Sequence, residues 1–184
     1  MSATRANSRI GLACDVALVF VLLYSGTRRH DVLPITALLT IFLGLVLFSL
    51  VEYCFHRWVF HGPRQVLEQG HRKHHQDPWG HDSLPFFLPP LGMLGLAALL
   101  VMFFPATIAL LLSGGMGFGY AAYGLSHWAI HRIRFRYSLP RRWAAAHHVH
   151  HHHPNRNFGV TTPLWDIMLR TRYGSKRTKS TATT

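Results

Sequence analysis

Acidic residues are scarce in this chain: seven Asp and Glu stand against nineteen Lys and Arg in 184 residues. A net charge of +12 would suit a nucleic-acid partner if the basic residues were spread over a soluble module. Here they are segregated from long apolar runs, the apolar fraction is 49% and the mean hydropathy is +0.14. That pattern points to a membrane protein and away from nucleic acid. Cysteine is nearly missing too. Cys14 and Cys54 both lie in apolar segments and form no CxxC pattern. They define no disulfide framework and read as small apolar helix residues.

The length suits one domain, residues 1–184, of all-α membrane type. A bilayer span takes about 20 mostly apolar residues. Four approximate spans follow, at residues 10–25, 33–55, 86–104 and 106–124. The first is short and carries Asp15. Arg5 and Arg9 ahead of it resemble a signal peptide's basic region, but no small-residue cleavage site precedes SGTRRHD, so a retained helix is expected. Pro34 suits the first turn of the second span. Pro89 and Pro90 are expected to loosen the third, and Pro105 ends it. The glycine-rich SGGMGFG of the fourth permits close helix contact. Residues 56–85 and 125–173 would form a cap, and 174–184 a frayed tail.

Four spans put both termini on one side, and the basic residues agree. Only Arg28 and Arg29 lie between the first two spans; the other seventeen Lys and Arg lie in the N-terminus, the 56–85 loop and the 129–184 tail. The positive-inside rule makes those three regions cytoplasmic. The membrane would be the inner membrane of a bacterium or the endoplasmic reticulum of a eukaryote. Anionic headgroups account for the basic tail.

Histidine is in excess. Thirteen of fifteen histidines fall in four clusters, with only His30 and His81 apart. His56 and His61 form H-x4-H at the end of the second span. Five residues is about 140° of rotation on an α-helix, so the pair reaches one metal only at a fraying helix end, or reaches two metals in one site. His71, His74 and His75 form H-x2-H-H, and His127 and His131 form H-x3-H. Both patterns keep to one helical face. The run HHVHHHH at 147–153 holds two H-x2-H-H registers, His147/His150/His151 and His148/His151/His152. Low-complexity histidine tracts bunch in one place, whereas these clusters recur over about 100 residues on one expected membrane face. They predict a polynuclear metal site, two metals with roughly five ligands each. Structural zinc closes with four ligands, often including sulfur, and no cysteine or carboxylate lies inside the clusters. Neutral imidazole suits iron, copper, nickel and zinc alike, so spacing leaves the metal open. The site should assemble only with neutral imidazoles and fail in acid.

The flanks of these clusters resemble the fatty acid hydroxylase and sterol desaturase superfamily, the fatty acid 2-hydroxylases most. EYCFHRWVFH is similar to that family's EYxxHRxxFH, and HRKHHQDP with a later LPP to HGxHHxxP…PP. GYAAYGLSHWAIH is similar to GYxxYDxxHYxxH, and NFGVTTPLWD to GFGVT…WD. The resemblance covers roughly residues 45–170. It implies a helical membrane oxidoreductase, a monooxygenase hydroxylating a lipid C–H bond, with two iron ions under a cytosolic cap and O2 as co-substrate. The implied ligands are His56, His61, His71, His74, His75, His127, His131, His148, His151 and His152. The last three follow from the family's HHxxHH, which selects the second register. Two departures bear on substrate: Gly124 stands where the family has Asp, and the loop from the last histidines to Phe158 is short. No cytochrome b5-like segment precedes the first span, so a separate donor of cytochrome b5 or ferredoxin type is expected to supply electrons.

Alternatives on the same site are a desaturase and a carotenoid or sterol ring hydroxylase; NFGVTTPLWD favours the fatty acid and sterol branch. A non-catalytic metal carrier would need polar residues within the spans, where only Asp15 and Glu52 stand. Glu52, one turn before His56, either orients a ligand imidazole or is a helix-end charge. Asp166 is either an acceptor behind the ligands or a cap. Arg132, Arg134, Arg136, Arg141 and Arg142 fit a headgroup-facing belt better than a dock for an acidic redox protein. Trp58, Trp128 and Trp143 suit the interface.

Overall fold

The structure is a computed structural model that describes residues 4–63, 66–80 and 84–174. Nearly all of the expected tail thus lies outside the described residues, as do parts of the 56–85 cap segment. Among the described residues seven α-helices and one π-helical turn follow in order: α1 (Arg5–Thr27), α2 (Pro34–Cys54), the π turn (Phe55–Phe60), α3 (Val66–Gln76), α4 (Leu88–Val101), α5 (Ala106–Arg132), α6 (Ser138–His152) and α7 (Leu164–Met168).

Local chemistry sets the helix starts. The Thr4 hydroxyl accepts from the Asn7 N–H at 3.2 Å and caps α1. Pro34 opens α2. In α4 the prolines stand in the first turn, where no intrahelical N–H is needed. They start that helix instead of loosening it.

Among the described residues three helical segments are long and apolar enough to cross a membrane: Arg5–Thr27, Pro34–Phe60 and Ala106–Arg132. The third predicted span, 86–104, is realised as a helix of only 14 residues, about 21 Å long. The chain leaves it at Met102 and turns before Pro105. The fourth runs further than expected, for 27 residues, carrying His127 and His131 on one continuous helix.

Connectivity makes α1, α2, α4 and α5 alternate in direction. At one end the Thr107 hydroxyl, in the first turn of α5, donates to Asp31 in the α1–α2 loop at 2.5 Å. At the other end Asn7 in α1 donates to the Leu84 carbonyl at 2.7 Å and accepts from the Phe86 N–H at 3.0 Å. That second end also holds the end of α2, the end of α5 and the cap helices.

α2 and α5 meet backbone to backbone. A Cβ on Gly115 would lie 2.4 Å from the Ile41 carbonyl oxygen, and one on Gly44 2.6 Å from the Leu112 oxygen. Hydrogen is the only substituent that fits at this crossing. Gly115→Val is therefore expected to destabilise the protein by about 2–3 kcal/mol, a drop of roughly 5–10 °C in melting temperature. An unchanged melt in detergent would refute the close crossing. In the cap, Ile130 of α5, Ala144 of α6 and Val160 form a small buried core, with Tyr123, Phe135 and Trp143 packed on it. This core fixes which side of α6 faces inward.

Candidate metal centre

Ten imidazoles converge at the cap end, in two groups of five. The first holds His56, His61, His71, His75 and His150; the second holds His74, His127, His131, His147 and His151. Within each group the candidate ligand atoms all lie within 4.8 Å of one another. The groups adjoin: the His75 and His151 rings stack with centroids 4.4 Å apart, and those of His147 and His150 with centroids 5.7 Å apart.

The π turn answers how His56 and His61 meet. A π-helix bonds from i to i+5, so residues five apart stand one turn apart and face the same way. Their rings stack at 5.3 Å and 26°, and both serve the first group. The three histidines of α3 do not converge on one point, as one-face spacing suggested. His71 and His75, one turn apart, enter the first group, while His74 enters the second. α6 does the converse: His147 and His151 enter the second group and His150 the first. Each group thus draws a pair from a long apolar helix, a pair from one cap helix and a single histidine from the other.

The register expected for α6 is the other one. His148 and His152 are exposed and belong to neither group, and His147 and His150 take their places. The cause is the apolar face of α6. Ala144 is buried in the cap core, and positions three and seven residues further on, His147 and His151, continue that face. Trp143 and Ala144 were the signal that selects this register. His148 stands edge-on to His131 at 5.6 Å between centroids.

Hydrogen bonding does not explain these contacts. The His71 Nε2 lies 3.1 Å from the Nε2 of His56, 3.1 Å from that of His61 and 3.0 Å from that of His75. The His147 Nε2 lies 3.1 Å from those of His127, His131 and His151. A neutral imidazole nitrogen has one in-plane position, either a hydrogen or a lone pair. It cannot serve three partners. Three lone pairs converging on a fourth call for a shared cation. Donors at right angles around an ion with bonds of about 2.1 Å sit about 3.0 Å apart, which matches the spacing seen. His74, a member of the second group, also has a buried Nε2 with no hydrogen-bond partner among the described residues. Each group therefore fits a metal ion.

Burial and mutual repulsion keep the cap imidazoles neutral. Loss of hydration pulls His61 down to about 4, helped by His75. It pulls His74 to about 3, with His131 and His151 adding repulsion, and His151 to about 2. His150 falls to about 3, again mainly through burial. His71, His75 and His147 shift the same way, with burial the leading cause in each.

Glu52 is not an exposed helix-end charge, and its hydrogen bonds go to a loop and not to an imidazole. It is buried in α2 and accepts from the N–H groups of Val160 at 2.6 Å and Thr161 at 3.0 Å, and from the Thr161 hydroxyl. Asp166 does not cap a helix. It accepts from the Phe158 N–H at 2.9 Å, the Gly159 N–H at 2.8 Å and the Thr171 hydroxyl at 2.7 Å. Gly124 has nothing within 4 Å of where a Cβ would lie. Arg132 is engaged: it donates to the Trp79 carbonyl at 2.7 Å and lies over the Trp79 ring. Arg134, Arg136, Arg141 and Arg142 are exposed, as are Trp58 and Trp128. Trp143 turns inward and donates to the Val160 carbonyl at 2.6 Å.

The fatty acid hydroxylase family model matches residues 41–171. The human fatty acid 2-hydroxylase is 31% identical over 152 residues, covering 70% of this chain and 38% of that protein. Dihydroceramide fatty acyl 2-hydroxylase FAH2 of Arabidopsis thaliana is 30% identical over 156 residues, covering 72% of this chain and 60% of that protein. The chain thus spans about two fifths of the length of its mammalian relatives, 38–43%. A solved structure of full-length Scs7p, with only the hydroxylase domain visible, shares the fold: TM-score 0.74 at 22% identity, covering 86% of this chain and 64% of that one.

Proposed function

Because the chain belongs to the fatty acid hydroxylase family, we propose that it is an O2-dependent lipid C–H hydroxylase working with two iron ions, one in each histidine group. The observation that carries this reading is the convergence of ten neutral imidazoles into two adjoining groups of five. Bound iron supplies two-electron activation of O2. The protein's task is to present nitrogen donors around two ions and leave positions open for O2. Among the described residues no carboxylate stands with the donors of either group.

The substrate is a lipid with an acyl chain, a fatty acid or a fatty-acyl sphingolipid. Two apolar cavities between the long helices support this. One, of about 320 Å3, lies between α2 and α5 and is lined by Phe42, Val46, Phe48, Gly119 and Thr161 among others. The other, of about 260 Å3, includes Leu88 and Met93 of α4 and Tyr120 of α5. An acyl chain entering from the bilayer would lie in one of them, its reacting carbon beneath the cap. α4 serves as a fourth crossing, since the chain must return from the cap end to the Thr107 end before α5 begins. The cap end, rich in Lys and Arg, is cytoplasmic. A single domain covers the described residues, and electrons come from a donor of cytochrome b5 or ferredoxin type.

Expression with 18O2 followed by mass spectrometry of the lipids tests the reading. One labelled oxygen in an acyl lipid, lost in His127→Ala, is the expected result. A new double bond without label would make the enzyme a desaturase. A protein that binds two irons yet leaves every lipid unchanged with O2 and reductant would be no hydroxylase.

A further inference from the structure

The two histidine groups differ in what stands behind them. In the first, the Nδ1 of His56 donates to the Phe158 carbonyl at 2.5 Å, and the Nδ1 of His150 to the Arg156 carbonyl at 2.7 Å. Such a bond fixes the tautomer and the ring angle, leaving the Nε2 lone pair aimed at the ion. In the second group, the Nδ1 of His147 is buried with no partner among the described residues. His147 is the imidazole on which the other three Nε2 contacts of that group centre.

The two carbonyls belong to one loop, and that loop is pinned. Asp166 holds the N–H groups of Phe158 and Gly159. Glu52 holds those of Val160 and Thr161. Asn157 has a left-handed backbone (φ 54°) and ties the loop to α6 through the Ala146 carbonyl at 3.0 Å. A Cβ on Gly159 would lie 2.1 Å from the Thr162 oxygen, so the turn admits no side chain there. Thr171 links Asp166 to Tyr53 of α2. Asp166, Glu52, Gly159 and Thr171 belong to neither histidine group.

We propose that the 156–161 loop, set by Asp166 and Glu52, is a positioning clamp that acts on the first ion through His56 and His150, and that the two ions are held unequally, the second group releasing its ion first. This rests on the reading that each group holds an ion. An outer hydrogen bond to a ligating imidazole is worth on the order of 10- to 100-fold in metal affinity. Among the described residues the first group has two such bonds, and the central imidazole of the second has none.

The test is metal release from the purified, fully loaded protein in detergent, titrated with a chelator and read as iron per chain. A Co2+-loaded sample gives the same curve by absorption. The wild type is expected to release its ions in two steps separated by at least about 10-fold in free chelator, with a plateau at one ion. His127→Ala, lacking a second-group ligand, should keep the tightly held ion. His61→Ala should keep the loosely held one. Asp166→Asn places an amide N–H against the Gly159 N–H, and Glu52→Gln does the same at its loop. Each should merge the two steps while helix content stays unchanged, and Thr171→Val should narrow the gap partially. A merely structural weakening would move both steps together. Two ions leaving the wild type in one step, or a split untouched in folded Asp166→Asn, overturns the inference. If Asp166→Asn does not fold, the wild-type curve and the two single-group variants still decide. A wild type that never holds two ions overturns the underlying reading, and the inference with it.

Discussion

His150→Ala and His147→Ala are each expected to lose more than about 100-fold in lipid hydroxylation, since even an outer-shell partner of a metal ligand is worth 10- to 100-fold. His148→Ala and His152→Ala are expected to stay within about two-fold of wild type, as exposed substitutions do. The contrast is sharp because the four positions alternate within six residues of one helix. Nothing in their chemistry separates them; only the direction each faces does. His147 and His150 are at most 1% exposed and each takes part in Nε2 contacts near 3 Å. The readout is iron per chain beside product per iron. Loss of iron in His148→Ala with retention in His147→Ala would reverse the assignment and put α6 in the opposite register.

The second large effect is on pH. In the unfolded chain each histidine takes up a proton near its ordinary value of 6.5. In the folded, metal-free protein His61 waits until about 4, and His74 and His150 until about 3. Below 6.5 the unfolded state therefore binds more protons than the folded one, and the free energy of unfolding falls as pH falls. The stability is fully present above 6.5 and drains away between 6.5 and about 3. The chelator-stripped protein should show a flat melting temperature above pH 7 and a steep decline through pH 6 and 5. Loaded protein should shed its ions over the same range, because protons compete for the same nitrogens. A stripped protein whose melting temperature is level from pH 7 to pH 5 would show that the imidazoles are not packed together without metal.

What was legible in the sequence was set by local rules. Pro34 marked the start of α2, the glycines of SGGMGFG marked the close crossing, and i, i+4 spacing put His127 with His131 and His71 with His75. Eight of the ten converging histidines are among those the family resemblance implies: His56, His61, His71, His74, His75, His127, His131 and His151. What was not legible depends on contacts across the chain. The choice between His147/His150 and His148/His152 is made by Ala144 against Ile130 and Val160, residues far apart in sequence. The role of Glu52 depends on a loop 108 residues away. Hydropathy runs on through Met102–Phe104, where the chain has already left α4 and turned. The meeting of His56 with His61 depends on a helix type that hydropathy cannot reveal.

That short π-helical stretch at Phe55–Phe60 has a consequence for the chain's tolerance of insertions and deletions. It is a matter of phase. An α-helix advances about 100° per residue, so removing one residue between His56 and His61 would restore i+4 spacing only if the wider turn collapsed to an α turn with it. Otherwise the second histidine swings away from the ion while every donor is still present. Point substitutions at Arg57, Trp58 and Val59 can keep the spacing; a change of length cannot do so without remaking the turn. The segment works as a spacer whose residue count carries information that its composition does not.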